Sequence, residues 1–264
     1  MQVRVLMSVK QCPLYRSLRA FWHRQRFFEL TLVDKRRLQF YSQFIRPGQL
    51  VFDVGANLGN RSKIFLRLGA RVIAFEPQAG CADFLRLMFG RQPKFQLVAK
   101  ALGPADGKAL MFVSDSPTIS SLSEPWINAT VESGRFASQK WPRREEVAVT
   151  TLDLAIAEFG LPSFIKIDVE GFEFEVLSGL SQSVENISIE VTPEYLENTY
   201  CCLQWLANIA EFYFQFSFGE SMRFAFPHWI SANDIRAWLK SLPRGAFGDL
   251  YARRAKACYS RAGS

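Results

Sequence analysis

Seven consecutive residues, Asp53-Val54-Gly55-Ala56-Asn57-Leu58-Gly59, close an apolar run and open a helical pattern. Glycines at a strand-to-helix handover permit a tight turn and let a ligand lie against the backbone near the helix N-terminus. The spacing is G-x-N-x-G, so the dinucleotide fingerprint G-x-G-x-x-G fails at its second glycine. No G-K-[ST] follows, which excludes a P-loop. Glu76 ends the next apolar run. A carboxylate there can accept both hydroxyls of an unphosphorylated ribose and would repel a 2′-phosphate. Turn and acid together point to a nucleoside-containing cofactor.

A second constellation is Ile165-Lys166-Ile167-Asp168-Val169-Glu170-Gly171. Strand alternation places Lys166, Asp168 and Glu170 on one side. Strand C-termini of an open α/β sheet face the ligand crevice, so Asp168 and Glu170 should look into it. Paired carboxylates beside a lysine suit a base and its orienter, a hard cation, or a structural ion pair capping the next helix. Glu190, at the end of the following apolar run, is placed to join them. His228 is a second candidate base, one of two histidines, but it sits within the aromatic stretch Phe224–Trp229 and equally suits a surface imidazole.

These residues need a scaffold. Periodicity predicts helices over 13–30 and 34–45, then strand, turn and helix in repetition. Strands are expected at 49–54, 71–75, 95–102, 109–113, 147–151, 164–168 and 186–191. Helices are expected at 60–68, around Cys81–Met88 with Gly90 as stop, at 152–159 and at 172–180. Residues 114–146 read as a long polar loop. The tail reads as β-hairpin material at 212–218, 223–226 and 247–252, with a helix at 233–239. Nearly all-apolar strands alternating with helices indicate a parallel sheet covered on both faces.

The segments FDVGANLG (52–59), FEP (75–77), TLD (151–153) and IKIDVEGFEFEVLSGL (165–180) resemble the FkbM-type S-adenosylmethionine-dependent methyltransferase family, over roughly residues 36–252. The resemblance implies an α/β, Rossmann-like class I methyltransferase fold, with a mostly parallel seven-stranded sheet, helices on both faces and here an N-terminal helical cover. It implies S-adenosyl-L-methionine as cofactor and O-methylation of a hydroxyl on a sugar, glycan or natural product; a metal on Asp168, Glu170 and Glu190 is weighed from the residues and not expected. On the matching positions, Gly55, Ala56, Asn57 and Gly59 would hold the methionine and ribose portion, with Asp53 supporting its amino end. Glu76 would take the ribose hydroxyls, and Ala101 resembles the position beside the adenine. Asp168 and Glu170 occupy the family's DVEG positions, Asp168 serving both cofactor and chemistry. Ser120-Ser121-Leu122 resembles a loop feature that helps close the site.

Composition sets the outer bounds. The chain has 264 residues, 48% hydrophobic and 22% charged, which excludes bulk disorder. Its formal charge of +7 is uneven. Residues 1–46 hold ten Lys/Arg against two acids, and residues 251–264 hold four against none, so the body between them is net acidic. The expected division is a basic helical extension (1–46), a methyltransferase domain (47–252) and a basic tail (253–264). No apolar run reaches the roughly 18–20 residues of a spanning helix, and no secretory pattern opens the chain. Five cysteines without C-x-x-C spacing fit a reducing, cytoplasmic setting.

Three competing readings follow. A NAD-dependent oxidoreductase would use Glu76 equally well, but the missing second glycine speaks against it. A non-catalytic membrane-surface or nucleic-acid binder would use the basic, aromatic N-terminal helix. No RNA-binding signature and no [DN]-P-P-[YF] motif is present, so a nucleic-acid partner is not expected. Contact with a membrane surface would be weak, and a core-covering role for the helix is favoured. Aromatics of the tail, from Trp205 to Trp229, suit either sheet core or an acceptor pocket.

Overall fold

The computed structural model describes residues 25–243 and 245–255. Of the helix expected over 13–30, only 25–28 lies within them as helix; the rest falls outside the described residues. Helix α1 (Leu32–Tyr41) begins where a capping box fixes it: Thr31 Oγ1 accepts the Asp34 N–H at 3.1 Å and Asp34 Oδ2 accepts the Thr31 N–H at 3.0 Å. The chain continues as β1 (Leu50–Val54), α2 (Asn60–Arg67), β2 (Arg71–Phe75), α3 (Ala79–Phe89), β3 (Phe95–Val98), β4 (Ala101–Leu102), β5 (Gly107–Val113), α4 (Glu124–Glu132) and β6 (Arg143–Thr150). Then come α5 (Leu152–Phe159), β7 (Phe164–Ile167), α6 (Glu173–Ser178), β8 (Asn186–Val191), α7 (Leu196–Ile209), β9 (Phe212–Phe218), α8 (Ala232–Leu239) and β10 (Gly248–Arg254).

Seven strands form one sheet in the order β3-β2-β1-β7-β8-β10-β9. All neighbours from β3 to β8 are parallel, and β10 runs antiparallel to both β8 and β9. The expected mostly parallel sheet of seven strands is therefore present. β1, β7 and β8 are buried almost throughout, which is why they read as unbroken apolar runs. Residues 40–45 put Phe40, Tyr41 and Phe44 against Phe164 and Tyr251, so α1 covers one face of the sheet.

Four expectations are corrected. The run 95–102 is two strands: β3 joins the main sheet, whereas β4 pairs with β6 in a separate three-stranded sheet, order β4-β6-β5. Residues 114–146 are not one loop, because α4 lies inside, capped by Ser123 accepting the Trp126 N–H and with Pro125 in its first turn. The 14-residue helix α7 was hidden behind an N-terminus with no side-chain cap. Residues 223–226 form no strand, and β9 and β10 belong to the main sheet, with α8 between them in the chain.

One buried row is polar. Asp53, Lys166, Ser188, Tyr251 and Gln215 stand in register across β1, β7, β8, β10 and β9, none more than 2% exposed. Each is a single polar residue between apolar neighbours in its own strand, so no strand announces the row by itself. One member of the row meets α1: the Tyr41 hydroxyl lies 3.4 Å from that of Tyr251.

Candidate active site

A cavity of about 300 Å³ opens at the C-terminal ends of β1, β2, β7 and β8. Asp53, Gly55, Ala56, Asn57, Glu76, Ala101, Asp168, Glu170 and Glu190 all line it. His228 does not line it; it is exposed, and its backbone carbonyl accepts from Gln215 Nε2. The structure therefore separates the second candidate base from the others. None of the tail aromatics between Trp205 and Trp229 lines the cavity either; Phe214 and Phe216 belong to the main core, and Phe224 and Trp229 pack beside Phe44.

The glycines of the first turn serve a purpose that the sequence did not reveal. Gly55, at φ +76°, faces the other motif: a Cβ there would sit 1.9 Å from the Asp168 carbonyl oxygen. Gly59 lies outside the cavity lining as the left-handed N-cap of α2, and a Cβ would meet the Phe89 ring at 2.4 Å. Both are needed for packing, and ligand approach is a consequence. Asn57 is also left-handed, at φ 48°. Its N–H donates to Glu76 Oε2 at 2.8 Å, while Glu76 Oε1 accepts the Gln78 N–H at 2.8 Å. Glu76 thus clamps two turns at once. Burial pushes it up to about 7 despite those donors, and burial likewise raises Asp53 to about 6 although Ser62 Oγ donates to it at 2.5 Å.

In the second motif, Glu170 is left-handed at φ 55°, a costly conformation for a residue with a side chain. Two contacts hold it. Ser121 Oγ donates to the Glu170 carbonyl at 2.6 Å, and Glu173 Oε1 accepts the N–H groups of Gly171 and Val169 at 3.1 and 3.3 Å. Ser120 and Leu122, flanking Ser121, line the cavity. Glu173 was missed in the sequence; a glutamate in a helix's first turn, opposite free N–H groups, was the available signal.

Asp168, Glu170 and Glu190 converge, each offering an oxygen within 4.8 Å of the others. That spacing would also suit a hard cation. The buried Lys166 ammonium already reaches the group, 3.1 Å from Asp168 Oδ2 and 2.9 Å from Asp249 Oδ1. Burial opposes its charge, but Asp168 and Asp249 outweigh burial and hold it well above the usual lysine range. Burial also opposes ionisation of Asp168, yet Lys166 and Arg61 bring it below the usual carboxylate range. Glu170 and Glu190 go the other way: burial and their acidic neighbours raise both well above that range. The cluster therefore sets one carboxyl whose ionisation its neighbours favour beside two whose ionisation they oppose.

The mouth carries residues the sequence reading missed. Glu220, from the turn after β9, bridges Arg61 at 2.6 Å and Arg37 at 3.1 Å, tying β9 to α2 and α1. Nothing in the local sequence pairs these three, because the contact spans the chain.

A sheet in this strand order, with a glycine turn after β1, an acid after β2 and a carboxylate cluster after β7 and β8, is that of an α/β enzyme holding a nucleoside-containing cofactor at its strand C-termini. A family model described as the methyltransferase FkbM domain matches residues 53–242, and that match makes it a class I S-adenosylmethionine-dependent methyltransferase. The chain belongs to that family, and S-adenosylmethionine is its cofactor. This displaces the oxidoreductase reading. No curated protein matches the chain significantly. Among solved structures, the chain is similar to a precorrin-6Y C5,15-methyltransferase from Geobacter metallireducens (10% identity, 83% of this chain and 88% of that one, TM-score 0.44). It is also similar to a Streptococcus mutans protein in complex with SAH (10%, 86% and 100%, 0.41) and an rRNA methylase from Streptococcus thermophilus (10%, 83% and 94%, 0.39). Among the described residues, no helix is long and apolar enough to cross a membrane.

The cavity fits the cofactor: positive-φ backbone cradles one end, and a buried carboxylate at the β2 end has lone pairs left for a diol.

Proposed function

We propose that the protein methylates a hydroxyl group of a sugar, glycan or related polyol. One observation carries this reading: the carboxyls of Asp168, Glu170 and Glu190 converge within 4.8 Å of one another at the chemistry end of the cavity, and no tail aromatic lines it. Hydroxyls both donate and accept, so a cluster of carboxyls can hold a polyol.

S-adenosylmethionine, when bound, supplies a methyl group on a positively charged sulfonium that leaves as a neutral thioether. Gly55, Ala56, Asn57 and Glu76 are the residues we assign to hold it, with Asp53 behind the turn and Ala101 at the far wall. Asp168 takes the acceptor's proton, and Glu170, whose ionisation burial and its acidic neighbours oppose, is the group placed to donate to a neighbouring acceptor oxygen. A weak base suffices, because a hydroxyl oxygen becomes strongly acidic as it is alkylated. Opposite shifts in adjacent carboxyls favour this division of roles. We read the cluster as a proton-sharing group and the basic ends as lying outside the chemistry.

The test screens labelled methyl transfer to hydroxylated glycans, natural-product scaffolds and ribosomal RNA, with Asp168→Asn as blank and with and without chelator. Incorporation into glycans that survives chelation is expected. Incorporation confined to RNA, or lost with chelator, overturns the reading.

Glu76 gives a separate prediction. With its carboxyl raised to about 7, it ionises as pH rises through neutrality. The charged form accepts more hydrogen bonds and attracts a cation, so cofactor affinity should rise about tenfold from pH 6 to pH 8. Calorimetry on Glu76→Gln should show weaker binding and a smaller rise; an identical rise would exclude Glu76 as its source.

A further inference from the structure

Lys166 is held from two sides, and only one side belongs to the motif. Its ammonium lies 3.1 Å from Asp168 Oδ2 and 2.9 Å from Asp249 Oδ1, fully buried. Asp249 sits on β10, some 80 residues later in the chain, with its other oxygen, Oδ2, accepting the Tyr251 hydroxyl at 3.1 Å. Tyr251 in turn meets Tyr41 of α1 at 3.4 Å. None of Lys166, Tyr251 and Tyr41 lines the cavity, so this chain of contacts reaches Asp168 from behind.

We propose that Asp249 and Tyr251 are positioning residues that share Lys166 with Asp168 and thereby set how strongly Asp168 holds a proton. A lysine bonded to Asp168 alone would give it the full benefit of one buried positive charge and leave a poor base. Asp249 takes part of that charge and adds a negative one nearby, so Asp168 stays ionised yet keeps basicity. Tyr251 limits how much Asp249 takes, because a carboxylate satisfied by a hydroxyl competes less for the ammonium. This set of contacts therefore works as a balance with Lys166 at its centre.

Other charged groups also face Asp168: Arg61 from α2, Asp53 from β1, Glu170 from its own turn, Glu173 from α6 and Glu190 from β8. Arg61 and Tyr41 also bear on Lys166. These groups are unchanged in the variants below, where Asp249→Asn removes a carboxylate and its charge and Tyr251→Phe removes only a hydroxyl.

The proposal rests on Asp168 as the proton acceptor, but its test needs neither acceptor nor methyl transfer. Full-length protein labelled with carbon-13 at aspartate Cγ is titrated by NMR, and Asp168 is identified by the signal lost in Asp168→Asn. In Asp249→Asn the Asp168 midpoint should fall by about one pH unit, since Lys166 turns wholly to it. In Tyr251→Phe it should rise by about half a unit, since Asp249 draws Lys166 away. Opposite directions support the balance. An unmoved midpoint, or shifts of the same sign, overturns it. If Asp249→Asn does not fold, Tyr251→Phe, which keeps the ring, decides alone: a rise supports the balance and no rise overturns it.

Discussion

Gly55→Ala is expected to abolish S-adenosylmethionine binding and to destabilise the fold by several kcal/mol. Two costs combine. The residue sits at φ +76°, where a side chain costs about 1–3 kcal/mol. The new Cβ would lie 1.9 Å from the Asp168 carbonyl oxygen and 3.2 Å from Val169 Cγ1. Backbone cannot swing aside as a flexible side chain can, so β1 and β7 must part at their C-terminal ends. That separation breaks the Asp168 N–H bond to the Val54 carbonyl, now 3.0 Å, and opens both loops of the site together. Calorimetry with the cofactor and thermal unfolding would check this. Wild-type affinity with an unchanged Tm would mean that the two motifs are not mechanically joined.

Asp168→Asn is the second. It keeps shape and size but removes the proposed proton acceptor, and a positioned base contributes roughly 10²–10⁴-fold. We expect kcat to fall by that order, with cofactor affinity altered by less than about tenfold. The amide leaves Lys166 its bond to Asp249, so the buried ammonium is not orphaned and the fold should persist. Single-turnover rates on the acceptor found by screening would measure it. A variant retaining more than a tenth of the wild-type rate would move the base elsewhere, with Glu170 next in line by position.

The parts of this molecule that were legible in the sequence were the local ones. β2, α5 and β8 sit at the predicted residues because each is an apolar run or stripe with clear ends. Asp53, Gly55, Asn57, Glu76, Asp168 and Glu170 stand together because strand C-termini of a parallel sheet converge on one edge. What stayed hidden was set by distant contacts. The split between β3 and β4 depends on β6, some 50 residues on, which captures Ala101 and Leu102. His228 looked eligible by type alone, and its exposed place follows from where the segment after β9 runs. The glycine turn was read correctly as a turn, but the reason for Gly55 lay on the opposite strand.

The insertion of β10 between β8 and β9 also dictates an order of assembly. A chain made from its N-terminus presents the glycine turn, Glu76 and the Lys166–Asp168 pair long before residues 248–254 exist. Until those residues emerge, β8 has an open edge, β9 has no neighbour in the main sheet, and Lys166 lacks its second carboxylate. A nascent chain can therefore hold both sequence motifs with an unfinished electrostatic floor. When β10 leaves the ribosome it completes the pairing of β8 and β9 and brings Lys166 its second carboxylate in one step.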